Sequence, residues 1–167
     1  QTPQGIVAVI QTEEMGQPDL RQGKFLFLED VQDPGNVGTM IRTADAAGFT
    51  GVIVSDKSAD VYSLKTLRSM QGSHFHLPIY RMPLATFVEG AKKSDLPILA
   101  TTLSRDSKDY RELSSLENFV LVMGNEGQGI SSVMAESADQ LVHISMKGRA
   151  ESLNVAVAAG ILMFYFS

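Results

Sequence analysis

A chain of 167 residues has room for one hydrophobic core and one domain. Its 44% hydrophobic and 20% charged residues exclude a disordered tail, a collagen-like fibre and a polytopic membrane protein, and the lack of cysteine excludes disulfides, thiolate metal sites and a cysteine nucleophile. With 14 basic and 19 acidic residues the net charge is −5, so nucleic acid is not attracted in bulk and can be touched only through a local patch.

The chain begins at Gln1 rather than at methionine and is read as a processed or trimmed piece. No basic segment leads into an apolar run at its start, so no signal peptide is expected. A short buried strand is predicted over Gly5–Ile10, then a polar surface loop over 11–23 and a strand over Lys24–Glu29. A helix over Val37–Ala47 leads to a strand over Gly51–Ser55, a helix over Ser63–Met70 and a strand over Leu77–Tyr80. Next come a helix over Leu84–Lys93, a strand over Pro97–Thr101 and a second polar loop over 104–115. Strands over Asn118–Met123 and Gln140–Ile144 and a helix over Ser152–Phe166 complete the chain. The strands are short apolar runs rather than alternations, which implies cover on both faces. Strands alternating with helices predict an α/β domain whose sheet is mainly parallel and flanked by helices. The longest apolar stretch, Val155–Phe166 with Gly160 inside it, falls short of the ~20 residues of a membrane span, and no membrane partner is expected.

Ligands of open parallel sheets gather at the carboxyl ends of the strands. Three such ends carry unusual residues. In the first, Leu28 to Gly48, a strand runs into an Asp-Pro-Gly turn and a helix opens near Asn36, whose side chain suits an N-cap. Arg42 follows six residues on. Either Asn36 caps and Arg42 pairs with a surface carboxylate, or both project over the strand end toward a substrate. The second, Val122 to Ile130, holds the spacing G-x-x-G-x-G and then a short helix. That is neither the dinucleotide order G-x-G-x-x-G nor a P-loop, which weakens a reading as a phosphate-binding nucleotide loop. It reads as a loop that lets backbone approach a small molecule, with Glu126 set to meet backbone amides or a cationic ligand. The third, His143 to Gly160, is a basic loop before a helix that Ser152 can cap. That helix is apolar nearly all round, so it must be covered on every side, as a central core helix or partly by another subunit. His74 and His76 lack a third ligand at metal spacing, so no metal is expected.

Together these segments resemble the three signature motifs of the SpoU (TrmH-type) RNA 2′-O-ribose methyltransferases of the SPOUT superfamily. The similar residues are Asn36-Val-Gly with Ile41-Arg-Thr-Ala-Asp-Ala-Ala-Gly48, then Met123-Gly-Asn-Glu-Gly-Gln-Gly-Ile130, then Met146-Lys-Gly148 with Ser152-Leu-Asn-Val-Ala-Val-Ala158. Leu67 to Gly72 with Phe75 to Pro78 is similar to the family's middle segment. The resemblance implies a SPOUT fold with a C-terminal trefoil knot, a homodimer with active sites near the subunit interface, and a cytoplasmic protein. It implies S-adenosylmethionine as cofactor, held by Met123, Gly124, Asn125 and Gly127, by Ile144, Met146 and Leu153, and by the strand end Thr101, Thr102 and Leu103. The implied reaction moves a methyl group to a ribose 2′-oxygen of RNA, ribosomal RNA being favoured over transfer RNA.

The family pattern departs at Ser145, where proline is usual. Many members also carry an RNA-binding domain before the catalytic one. Thr2 to Ile6 looks like the junction, so residues 1–167 are expected to be a single catalytic domain without it. The catalytic set carried over is Arg42, Asn36, Glu126, Ser152 and Asn154. A guanidinium with a pKa above ~12 is ill suited to general-base work. Arg42 is therefore expected to clamp a phosphate and stabilise developing alkoxide charge, Asn36 to orient Arg42 or the ribose, and Glu126 to hold Arg42 or balance charge near the cofactor. The alternative is a knotted RNA-binding or assembly module that kept the fold without the reaction.

Overall fold

The computed structural model describes Gly5 and residues 15–167. Apart from Gly5, the strand expected over Gly5–Ile10 lies outside the described residues. Among the described residues, seven strands form one sheet: β1 (Lys24–Leu28), β2 (Gly51–Val54), β3 (Ile79–Arg81), β4 (Ile98–Thr101), β5 (Lys108–Asp109), β6 (Phe119–Met123) and β7 (Gln140–His143). Their order is β3-β2-β1-β6-β4-β7-β5, and each pairing is parallel. The helices are α1 (Pro34–Ala46), α2 (Leu64–Met70), α3 (Leu84–Lys93), α4 (Ser132–Ser137) and α5 (Val155–Phe166). The α/β class and the parallel sheet are as the sequence implied.

Alternation within the central strands splits the core in two. From β1, Leu26 and Leu28 face the layer of α1, α2 and α5, while Phe25 and Phe27 face α3 and α4. From β6, Phe119, Leu121 and Met123 join the first layer, and Val120 and Val122 the second. Phe27 stacks on Phe87 of α3 with ring centroids 4.1 Å apart. Both faces are covered, so the strands read as continuous apolar runs. The chain steps outward from β1 to β3, then crosses back to build β4 on the far side of β6. The order therefore reverses beside β1 and β6, which opens a crevice at their carboxyl ends.

Two caps differ from the sequence reading. Asn36 does not cap α1; Asp33 does, accepting the Asn36 N–H at 2.9 Å, and Pro34 occupies the first helical position. Proline there lacks only an N–H that has no partner anyway, so the Asp-Pro pair sets the helix start. Likewise Ser152 does not cap α5; Asn154 does, accepting from the N–H groups of Ala156 and Val157. The segment 104–115, expected to be loop, contains the two-residue edge strand β5 and a 3₁₀ turn at Tyr110–Glu112. Gly38 lets α1 and α2 touch, because a Cβ there would sit 2.5 Å from the Thr66 carbonyl oxygen.

Candidate active site

The crevice is bounded by the loop after β1 and the loop after β6. Its floor is tied by the Glu29 N–H, which donates to the Met123 carbonyl at 2.9 Å. Asn125 shapes the second loop. Its amide nitrogen donates to the Asp30 carbonyl at 2.8 Å, and its side-chain oxygen accepts from the Gly127 and Gln128 N–H groups. Asn125 and Gly129 also exchange backbone hydrogen bonds of 2.9 Å in each direction. Gly129 adopts φ +69°, which favours glycine, and Gly124 packs so tightly on the Gly129 backbone that no side chain fits there. The glycine spacing thus closes a compact loop that aims Glu126 back across the crevice.

Glu126 accepts three hydrogen bonds, from the N–H groups of Gln32 (3.2 Å) and Asp33 (3.1 Å) and from Asn36 Nδ2 (3.1 Å). Partial burial opposes its charge. The donors, Asn36 first, outweigh that cost and hold its carboxyl below the ordinary glutamate range. Asn36 passes the link on, because its Oδ1 accepts from Asn154 Nδ2 at 3.1 Å, and the Asn154 oxygen caps α5. A single chain of side chains therefore joins the β6 loop, the first turn of α1 and the start of α5. Lys65 of α2 joins it through Asp33 at 2.7 Å. That ammonium, with the Asn36 N–H, holds the Asp33 carboxyl below its ordinary range.

Behind this chain lies an open cavity of about 540 Å³. Thr101, Thr102 and Leu103 line it from the end of β4, and Met123, Asn125 and Gly127 from the end of β6. Ile144, Met146 and Leu153 line it from the segment after β7, with Glu126, Ser152 and Asn154 at the same wall. Gly124 is not on the wall; its role is the close backbone contact already described. Sequence reasoning missed Val142, Val155, Ala158 and Leu162, which complete the apolar side. It also missed Asp33, although the Asp-Pro-Gly order was a visible cap signal.

Arg42 stands apart from the wall. It is exposed on α1, six residues beyond Asn36 and so roughly 120° around the helix axis. Among the described residues it takes part in no salt bridge. Glu126 and Asn36, each expected either to engage Arg42 or to act elsewhere in the site, hydrogen-bond within the Glu126–Asn36–Asn154 chain, and neither hydrogen-bonds Arg42 among the described residues.

A profile of the SpoU rRNA Methylase family matches residues 23–164. The chain belongs to that family. It is 45% identical over 165 residues to the 23S rRNA (guanosine(2553)-2′-O)-methyltransferase RlmP of Bacillus subtilis, covering 99% of this chain and 65% of that protein. The AdoMet-bound rRNA methyltransferase of Sinorhizobium meliloti superposes with a TM-score of 0.83 at 40% identity, over 90% of this chain and 60% of that one. AviRb, a SpoU methyltransferase of Streptomyces viridochromogenes solved with AdoMet, superposes with a TM-score of 0.74 at 36% identity, over 84% and 55%. This chain therefore spans 55–65% of the length of these relatives. Among the described residues, no helix is long and apolar enough to cross a membrane.

The lowered Glu126 pKa has a defined linkage. Its hydrogen bonds add stability that is present above the unfolded glutamate value of about 4.3 and is lost as pH falls through the lower folded value. Urea unfolding of the wild type and of Glu126→Gln is expected to show a stability gap that is flat between pH 6 and 8. The gap should shrink once pH falls below about 4. A gap that widens on acidification contradicts this assignment.

Proposed function

We propose that this chain carries the catalytic machinery of an RNA 2′-O-ribose methyltransferase using S-adenosylmethionine, with ribosomal RNA as substrate. The observation that carries the reading is the Glu126–Asn36–Asn154 chain at the rim of a cavity built from three strand ends. The cavity fits the cofactor in chemistry and size. Its wall combines apolar side chains that can cover a flat base with polar groups at the rim, and its volume is in the usual range for such ligands. Ribosomal RNA is favoured by the name of the Bacillus relative.

The bound cofactor supplies an activated methyl group on a sulfonium. The chain supplies alignment and charge. Arg42, outside the cavity wall, is free to meet RNA rather than cofactor; its donors hold a phosphate and stabilise charge growing on the 2′-oxygen. A guanidinium does not release its proton near neutral pH, so it is not the base; as the O–C bond formed and the cofactor's S–C bond broke, the hydroxyl proton would pass to solvent water at the open rim. Glu126, stabilised as carboxylate by its donors, is a weak base and serves to fix the loop. Ser152 and Asn154 complete the polar rim. Holding the hydroxyl in line with the methyl carbon supplies a large share of the rate. The proposal includes a trefoil knot in the C-terminal segment, a cytoplasmic location and RNA recognition by a further domain.

A homodimer belongs to the same reading. Val157, Ile161, Phe164 and Tyr165 form one apolar stripe on α5, and Phe164 is 58% exposed. We propose that a second copy covers it.

In the full-length protein, Arg42→Ala is expected to keep affinity for S-adenosylhomocysteine within threefold. It should lower transfer of labelled methyl to RNA by a factor of about 100 or more, the scale of one lost charge-stabilising donor. Normal turnover in that variant contradicts the role of Arg42, and no transfer by the wild type favours the non-catalytic module. Phe164→Glu is expected to sediment as a monomer where the wild type sediments as a dimer; an unchanged dimer places the interface elsewhere.

A further inference from the structure

Asp109 is buried, with 7% of its surface exposed, yet it lies on a two-residue edge strand outside the cavity wall. Three of its hydrogen bonds are local. They come from the Arg111 N–H (3.0 Å), Nε (2.7 Å) and Nη2 (2.9 Å). The fourth crosses to another segment, since the Ser145 N–H donates to Asp109 Oδ2 at 3.2 Å. The register explains the reach. Asp109 pairs with His143 in the parallel β5–β7 ladder, and Ser145 lies two residues past His143. The neighbours of Ser145 on each side, Ile144 and Met146, both line the cavity.

The turn that holds Asp109 is itself anchored. The Tyr165 hydroxyl of α5 donates to the Arg111 and Leu113 carbonyls at 3.3 and 3.4 Å, and the Tyr110 and Tyr165 rings meet edge to face at 4.8 Å. Ser145 is further tied through its hydroxyl to His143 Nε2 at 3.3 Å, and His143 Nδ1 meets the Ser107 hydroxyl at 3.0 Å. A fixed carboxylate thus grips the one backbone N–H between two cavity-lining residues. A proline at position 145 has no N–H to offer, and would stiffen the same segment through its fixed φ.

We propose that Asp109 is a positioning residue that sets the cofactor-side segment Ile144–Met146 through the Ser145 N–H, doing by hydrogen bonding what a proline at position 145 does by its ring. The inference rests on the cofactor reading above. The Ser145 N–H provides a link that serine permits and proline does not. Its loss leaves the segment free to fluctuate before ligand binding, which weakens affinity through ordering cost rather than through a lost ligand contact.

The test is calorimetric titration of S-adenosylhomocysteine into four proteins: wild type, Asp109→Ala, Ser145→Pro and the double variant. Asp109→Ala is expected to bind about tenfold more weakly than wild type, the scale of one hydrogen bond to a charged group. Ser145→Pro should stay within threefold of wild type, and the double variant should return to within threefold as well. A tenfold loss that persists in the double variant overturns the Ser145 link, and wild-type affinity in Asp109→Ala overturns the role of Asp109. In the wild type without ligand, the Ser145 amide should exchange its proton slowly. Fast exchange there overturns the proposal even if Asp109→Ala does not fold. A folded wild type that binds no S-adenosylhomocysteine overturns the cofactor reading itself, and the Asp109 proposal with it.

Discussion

The carboxylate of Glu126 is the point on which the site depends. It gathers two backbone N–H groups before α1 and the amide of Asn36, and so binds the loop after β6 to the helix after β1. Those loops belong to adjacent parallel strands that are far apart in the chain. Neutral hydrogen bonds from Glu29 and Asn125 join the loops at their base, and Glu126, a charged acceptor with three donors, joins them at the rim, where each bond is stronger than a neutral one. Asn36 then relays the position to Asn154, which caps α5. Loop, helix and cap form one network, so the cavity rim is set as a unit.

The sheet makes that network possible. The reversal of strand order beside β1 and β6 places two loop ends face to face, and the buried strands beneath them cannot shift without opening both core layers. Glycines permit the last approach. Gly124 lies against the Gly129 backbone, and Gly38 brings α2 against α1, where Lys65 reaches the cap residue Asp33. Rigid strands carry the site, and the loops between them carry the chemistry.

Much of this was legible in the sequence. Short apolar runs mark six of the seven described strands within about two residues of their observed ends, and the helix expected over Leu84–Lys93 has those bounds in the structure. The candidate site residues of the second and third motifs converge on one cavity, with Gly124 off its wall, while Asn36 and Arg42 of the first motif stand outside it. What escaped had physical causes. Asp33 and Asn36 are both good caps three residues apart, as are Ser152 and Asn154 two apart, and composition does not decide between them. Pro34 does decide the first, since proline belongs at the first helical position. Strand β5 is too short to show a pattern. The partners of Glu126 lie 90 or more residues away in sequence, and no spacing rule reaches that far.

The most direct measurement is the affinity of S-adenosylhomocysteine for the wild-type chain and for Asn36→Ala, by calorimetry. Asn36 is not on the cavity wall, so it makes no expected contact with the ligand. If the Glu126–Asn36–Asn154 chain sets the rim, the wild type binds one ligand per chain and Asn36→Ala binds at least tenfold more weakly. Equal affinity in the two proteins contradicts the coupling, and a folded wild type that binds nothing contradicts the cofactor site itself.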